Sequence, residues 1–165
     1  MIIGYKAFNS DLTNRYGIKF EIGKIYLSTG AIRFGNNGNG FHLCKNIEDT
    51  FRYFDTQKMT VCKVIGSGDF AENNSQEDDY YGFSDMYAVE KLQVLKELTR
   101  MEIIQEGLKL NEIRAHRFVS LYPLTEEEII LFKERFKDCT SVIDAIAYYQ
   151  ENNKEIYWEK IGVKK

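Results

Sequence analysis

The apolar pattern of this chain changes period once, near Thr99, and that change limits the folds open to it. Before Thr99, short β-branched and aromatic runs alternate with glycine, asparagine and aspartate. After it, apolar residues recur every three or four positions behind helix-capping signals. This order predicts an α+β fold: an N-terminal, mostly antiparallel sheet with a short packed helix, followed by a helical C-terminal part. A length of 165 residues suits one domain, with residues 1–99 sheet-rich and 100–165 helical.

The elements can be placed from local chemistry. Ile2 to Phe8 and Ile25 to Leu27 read as strands, the first closed by Asn9-Ser10-Asp11 and the second preceded by Gly23. The run from Gly35 to Gly40 tolerates positive φ and reads as a loop leading into a strand over Phe41 to Cys44. Asn46 has the chemistry of an N-cap, and Ile47, Phe51 and Phe54 recur at helical spacing behind it, predicting a short amphipathic helix. Thr60 to Ile65 alternates as a strand that Gly66-Ser67-Gly68 should end, and Glu72 to Asp85 reads as an acidic surface loop.

Leu92 to Leu98 fits either period. Thr99-Arg100-Met101-Glu102 is a capping box that starts a new helix, and Thr125 to Glu128 is another, stapled by Leu124 and Ile129. Ser141 should restart a helix through Val142, Ala145, Ile146 and Tyr149, and Ile156 to Ile161 fits a strand or a helical turn.

Charge and cysteine usage exclude several classes of function. Up to Phe83 there are nine basic and ten acidic residues, and after it thirteen and fifteen, so no basic stripe argues for nucleic acid. No apolar run approaches the roughly 18 residues of a spanning helix, so no membrane role is expected. The start Met1-Ile2-Ile3-Gly4-Tyr5-Lys6 lacks export features, which points to the cytoplasm. Cys44, Cys62 and Cys139 read as buried thiols, because their spacing suits neither a disulfide framework nor a zinc ribbon.

Candidate chemistry is sparse. His42 and His116 are the only histidines, and neither has a companion at metal-ligand spacing, so no metal is expected. His42 and Cys44 would share a strand face. The glycine run lacks the Lys-Ser/Thr ending of a phosphate loop and leads into a strand. Arg114, His116 and Arg117 form a small basic cluster, and Tyr80-Tyr81 and Tyr148-Tyr149 are aromatic pairs suited to an interface.

Two family likenesses arise from these motifs. Gly4-Tyr5-Lys6-Ala7-Phe8 and Gly40-Phe41-His42-Leu43-Cys44, followed by an acidic helix and a strand, resemble a family of small uncharacterised domains of phages and bacteria. That resemblance covers about the first hundred residues and implies a context rather than an activity. The order of strand, glycine loop, Gly-aromatic-x-Leu strand and short helix is similar to the NAD-binding half of ADP-ribosyltransferases. It implies that Lys6 and His42 clamp NAD, that Phe41 supplies a stacking ring and that Tyr53 lies beside them, with Glu90 and Glu97 as the nearby acids.

Lys6 and His42 replace the clamp residues of those enzymes, and no Glu-x-Glu or Gln-x-Glu follows in the right setting. The reading ranked first is therefore a binding or protein-interaction module without a cofactor, whose partner is a host protein or a second copy of the chain. An NAD-binding protein of ADP-ribosyltransferase type is the alternative.

Overall fold

A computed structural model of the chain describes residues 1–35, 37–52, 55–56, 58–73 and 85–152. The chain is α+β, an antiparallel sheet followed by helices. It divides into two compact units, Met1–Thr50 with Thr60–Leu98, and Phe51–Met59 with Thr99–Lys165.

The first unit is built on five strands: β1 (Ile2–Asn9), β2 (Ile25–Leu27), β3 (Phe41–Cys44), β4 (Met59–Glu72) and β5 (Met86–Glu97). Their order is β2-β5-β3-β1-β4, and β4 also pairs with β5, so β5, β3, β1 and β4 close into a ring. One edge of β5 pairs with β3 from Met86 to Val89 and with β2 from Lys91 to Gln93, while its other edge carries β4. Closure removes exposed edges from the ring and leaves β2 outside it. Phe8, Phe20, Leu43, Cys62, Val64, Val89, Leu92 and Val94 fill the interior. Each large side chain buried there contributes about 1.5–3 kcal/mol.

Three local expectations change. The helix expected behind Asn46 is a 3-10 stretch, Ile47–Arg52, and it is not amphipathic, since every residue from Ile47 to Phe51 is buried. Asn46 does not cap it; its Nδ2 donates to Asp85 Oδ2 at 3.1 Å. Phe54 lies outside the described residues, as do the segment 74–84 with Tyr80-Tyr81 and the segment 153–165 with Ile156 to Ile161.

Gly66-Ser67-Gly68 does not end β4, which runs on to Glu72. The register shifts between Ser67 and Phe70, where Gly68 adopts φ +78° in a bulge. A Cβ on Gly66 would lie 2.7 Å from the side chains of Leu43 and Val89, so that glycine serves close packing inside the strand. Leu92 to Leu98, which fitted either period, is strand as far as Glu97, where β5 stops before Thr99.

The second unit holds α1 (Arg100–Leu108), α2 (Glu112–Leu121), α3 (Glu126–Arg135) and α4 (Thr140–Ala145), the last running into a π-helical stretch, Ile146–Asn152. Both capping boxes form, Thr99 with Glu102 and Thr125 with Glu128. The staple residues Leu124 and Ile129 are buried. α4 begins at Thr140, and its N-cap residue Cys139 makes no side-chain capping bond. Phe51, Phe118, Phe132 and Phe136 form a chain of ring contacts with Tyr122 beside it, at centroid separations from 4.9 to 6.1 Å. Among the described residues no helix is long and apolar enough to cross a membrane.

Candidate functional site

β1 and β3 lie side by side with Tyr5 opposite Cys44. Gly4 permits that approach, because a Cβ there would collide with the Cys44 carbonyl oxygen. Two residues along β1, the Lys6 ammonium donates to the main-chain oxygen of His42 at 2.6 Å and lies 5.8 Å from the centre of the Phe8 ring. Burial drives the amine down from 10.5 to about 8; the Cys44 thiol works against that and the Arg15 guanidinium adds to it. The side chain is half-buried overall, with its charged end sunk between the strands.

His42 sits at the foot of the glycine-rich turn. Its Nε2 accepts the Gly35 N–H at 3.3 Å, and its ring meets Phe34 edge-on at 4.8 Å. Burial pushes the imidazole down to about 4, helped by the charges of Lys6 and Arg15. It is therefore neutral at physiological pH, and a neutral ring that accepts at Nε2 carries its proton on Nδ1. That N–H has no hydrogen-bond partner among the described residues.

The turn itself is closely tied. Arg33 and Asn39 exchange main-chain hydrogen bonds at 3.0 and 2.9 Å, and Asn39 Nδ2 donates to the carbonyls of Thr29 and Ala31. Asparagine holds this turn through its side chain while the glycines supply the positive φ, at Gly35 and Gly40 among others.

Arg15 completes the cluster from the loop after β1. Asn14 Oδ1 accepts the N–H groups of Tyr16 and Ile18 and shapes that loop, and Arg15 Nη2 donates to the Tyr16 hydroxyl at 2.6 Å. Among the described residues neither Lys6 nor Arg15 forms an ion pair with a carboxylate. The cluster thus carries two cations and an imidazole N–H in one electrostatic neighbourhood, which favours an anion.

Of the residues singled out in the sequence, Lys6 meets His42 at its main-chain oxygen, and the lysine charge is felt by the imidazole. Phe41 alternates to the other face of β3, where its ring meets Phe20 at 6.1 Å and Tyr26 at 6.5 Å in the core. Tyr53 lies outside the described residues. Glu90 accepts the Asp69 N–H at 3.1 Å in the β4 bulge, and Glu97 stands opposite Cys62 at the far end of β5. Neither acid is among the groups that shift Lys6 or His42.

Cys44, Cys62 and Cys139 are free, buried thiols, and burial with the Glu97 charge pushes Cys62 up to about 12, which leaves it unreactive. Arg15, Phe34 and the Gly35 N–H carry no sequence signal beyond turn chemistry. The nearness of Arg15 to Lys6 arises from the path of the loop.

Among the described residues no group of three or more His, Cys, Asp or Glu side chains could hold a metal ion. Residues 2–106 match the family described as Domain of unknown function (DUF7666). No curated protein and no solved structure matches the chain.

Proposed function

The chain belongs to the family described as Domain of unknown function (DUF7666), and from that premise we propose that it is a binding protein whose sheet unit takes an anionic ligand at Lys6, Arg15 and His42. One observation carries the reading: Lys6 is a desolvated ammonium whose hydrogen bond goes to a carbonyl dipole and not to a carboxylate. An anion about 4 Å from that ammonium, at an effective dielectric of 20, would gain about 4 kcal/mol. The Nδ1–H of His42 would add a directional donor.

NAD is the specific ligand that the likeness to ADP-ribosyltransferases suggests, and its pyrophosphate would supply the anion. The Lys6 ammonium at the His42 main-chain oxygen, with its charge felt by the imidazole, supports this choice. The ring beside the imidazole is Phe34, so a base would stack there rather than on Phe41. A protein partner is the second reading, favoured by edge strand β2, whose Ile25 and Leu27 are 64% and 60% exposed.

Thermal unfolding with NAD, ADP and adenosine tests the first reading. A ligand at 100 times its dissociation constant adds about 2.7 kcal/mol to stability. NAD and ADP should raise the melting temperature and adenosine should not, and Lys6→Met and His42→Gln should each abolish the rise measured against their own baselines. A rise that persists in Lys6→Met, or one that adenosine matches, would remove the site.

A further inference from the structure

The helical unit holds a cleft of about 440 Å³ lined by Thr56, Lys58, Arg100, Tyr122 and Pro123. Its size lies within the range of small-molecule sites. Among the described residues its lining includes two cations, the hydroxyls of Thr56 and Tyr122, and no acidic side chain.

Arg100 is held rigidly at the wall. Its Nε donates to Glu128 Oε1 at 2.8 Å, and its Nη2 donates to Glu128 Oε2 at 2.7 Å and to the Pro123 carbonyl at 2.6 Å. The guanidinium lies over the Tyr122 ring, 5.1 Å from its centre. These bonds occupy one edge of the fork and leave Nη1 without a partner among the described residues.

Lys58 is held only loosely, its ammonium 3.6 Å from Asp55 Oδ2 on a side chain 81% exposed. The third group is the most telling. Thr56 Oγ1 is buried and has no hydrogen-bond partner among the described residues, a state that costs about 1–3 kcal/mol in a folded protein.

We propose that this cleft is a second binding site, separate from the sheet site, that takes the phosphate group of a small phosphorylated molecule. Lys58, Arg100 Nη1 and the Thr56 hydroxyl offer three independent donors. A phosphate has three free oxygens to match them, whereas a carboxylate has two. Glu128 stands behind the guanidinium, fixes its plane and leaves the open edge for the ligand.

Amide chemical shifts followed by NMR during titration with inorganic phosphate, and separately with acetate, test this. Phosphate should shift the amides of Thr56, Lys58 and Arg100 saturably, and Lys58→Gln and Thr56→Val should each weaken that binding at least fivefold. Thr56→Val keeps the side-chain shape and should leave the free protein at least as stable, so lost binding would not reflect lost folding. Lys6→Met should leave the response of the cleft unchanged, which separates this site from the sheet site. Unmoved cleft amides, undiminished binding in Thr56→Val, or acetate binding as tight as phosphate would each overturn the assignment.

Discussion

The Lys6 ammonium donates to the main-chain oxygen of His42 across 2.6 Å, so β1 places a desolvated cation against a dipole instead of a counter-charge. A carbonyl repays only part of the hydration that the ammonium gives up. The folded, ligand-free protein therefore carries a cost at this position that an anion would relieve.

Lys6→Met should accordingly stabilise the ligand-free protein at pH 7. Below about 8 the amine is charged in both states, and the fold bears the full burial cost. Between about 8 and 10.5 the folded protein sheds the proton while the unfolded chain keeps it, so stability rises with pH across that window. A shift of this size is on the order of 3 kcal/mol. Loss of the bond to His42 and of its buried acceptor offsets about 1–2 kcal/mol. Urea unfolding should show a gain of about 1–2 kcal/mol at pH 7 that shrinks by pH 10. A variant less stable than the parent at pH 7 would contradict the account of Lys6.

His42 acts at the other end of the pH range. Its folded value of about 4 lies below the ordinary 6.5, so between these the unfolded chain binds a proton that the folded protein refuses. Its contribution is complete above 6.5 and is lost as pH falls through about 4. His42→Gln keeps a polar group beside Gly35 and removes the titration. Unfolding curves at pH 4.5 and pH 7 should differ less in His42→Gln than in the parent, and an equal difference would exclude His42 as the titrating group.

The readable parts of the sequence were those set by near neighbours. Both capping boxes form as expected because Thr99 with Glu102, and Thr125 with Glu128, need only a three-residue spacing. Gly66 and Gly68 misled because their roles depend on distant side chains. Gly66 makes room for Val89 and Leu43, and Gly68 turns the bulge over Glu90. Asn46 has the chemistry of a cap, but its amide goes to Asp85, thirty-nine residues away.

The candidate site shows the same division. Strand alternation placed His42 on one face of β3, yet the opposite face took Phe41 into an aromatic core that composition alone cannot tell from a binding platform. Arg15 was not legible at all, because only the folded loop brings it near Lys6.

Gly107→Ala sets two effects against each other. Alanine is the better helix former by about 1 kcal/mol at a helical position. The new methyl would lie 2.7 Å from Phe118 Cζ and 2.9 Å from Phe132 Cζ, inside the aromatic core of the helical unit. Forcing such rings apart typically costs about 1–3 kcal/mol, so packing should win and the variant should melt lower than the parent. An unchanged or higher melting temperature would mean that the rings give way freely.

Gln150 offers the sharpest stability test, because it is polar, 1% exposed and fully engaged. Its Nε2 donates to the carbonyls of Val119 at 2.6 Å and Tyr122 at 3.0 Å, and its Oε1 accepts the Leu124 N–H at 3.0 Å. These groups end α2 and lead into α3, where the chain has no helical partner of its own for them. Gln150→Leu keeps most of the volume but strands three buried main-chain groups. Each stranded group costs about 1–3 kcal/mol before relaxation, against about 1 kcal/mol recovered from the added apolar burial. The expected net loss is about 2–4 kcal/mol, and Gln150→Glu should also lose stability, because it removes the two donated bonds and buries a charge. Chemical unfolding of both variants checks this, and a Gln150→Leu protein as stable as the parent would show that the turn does not depend on the amide.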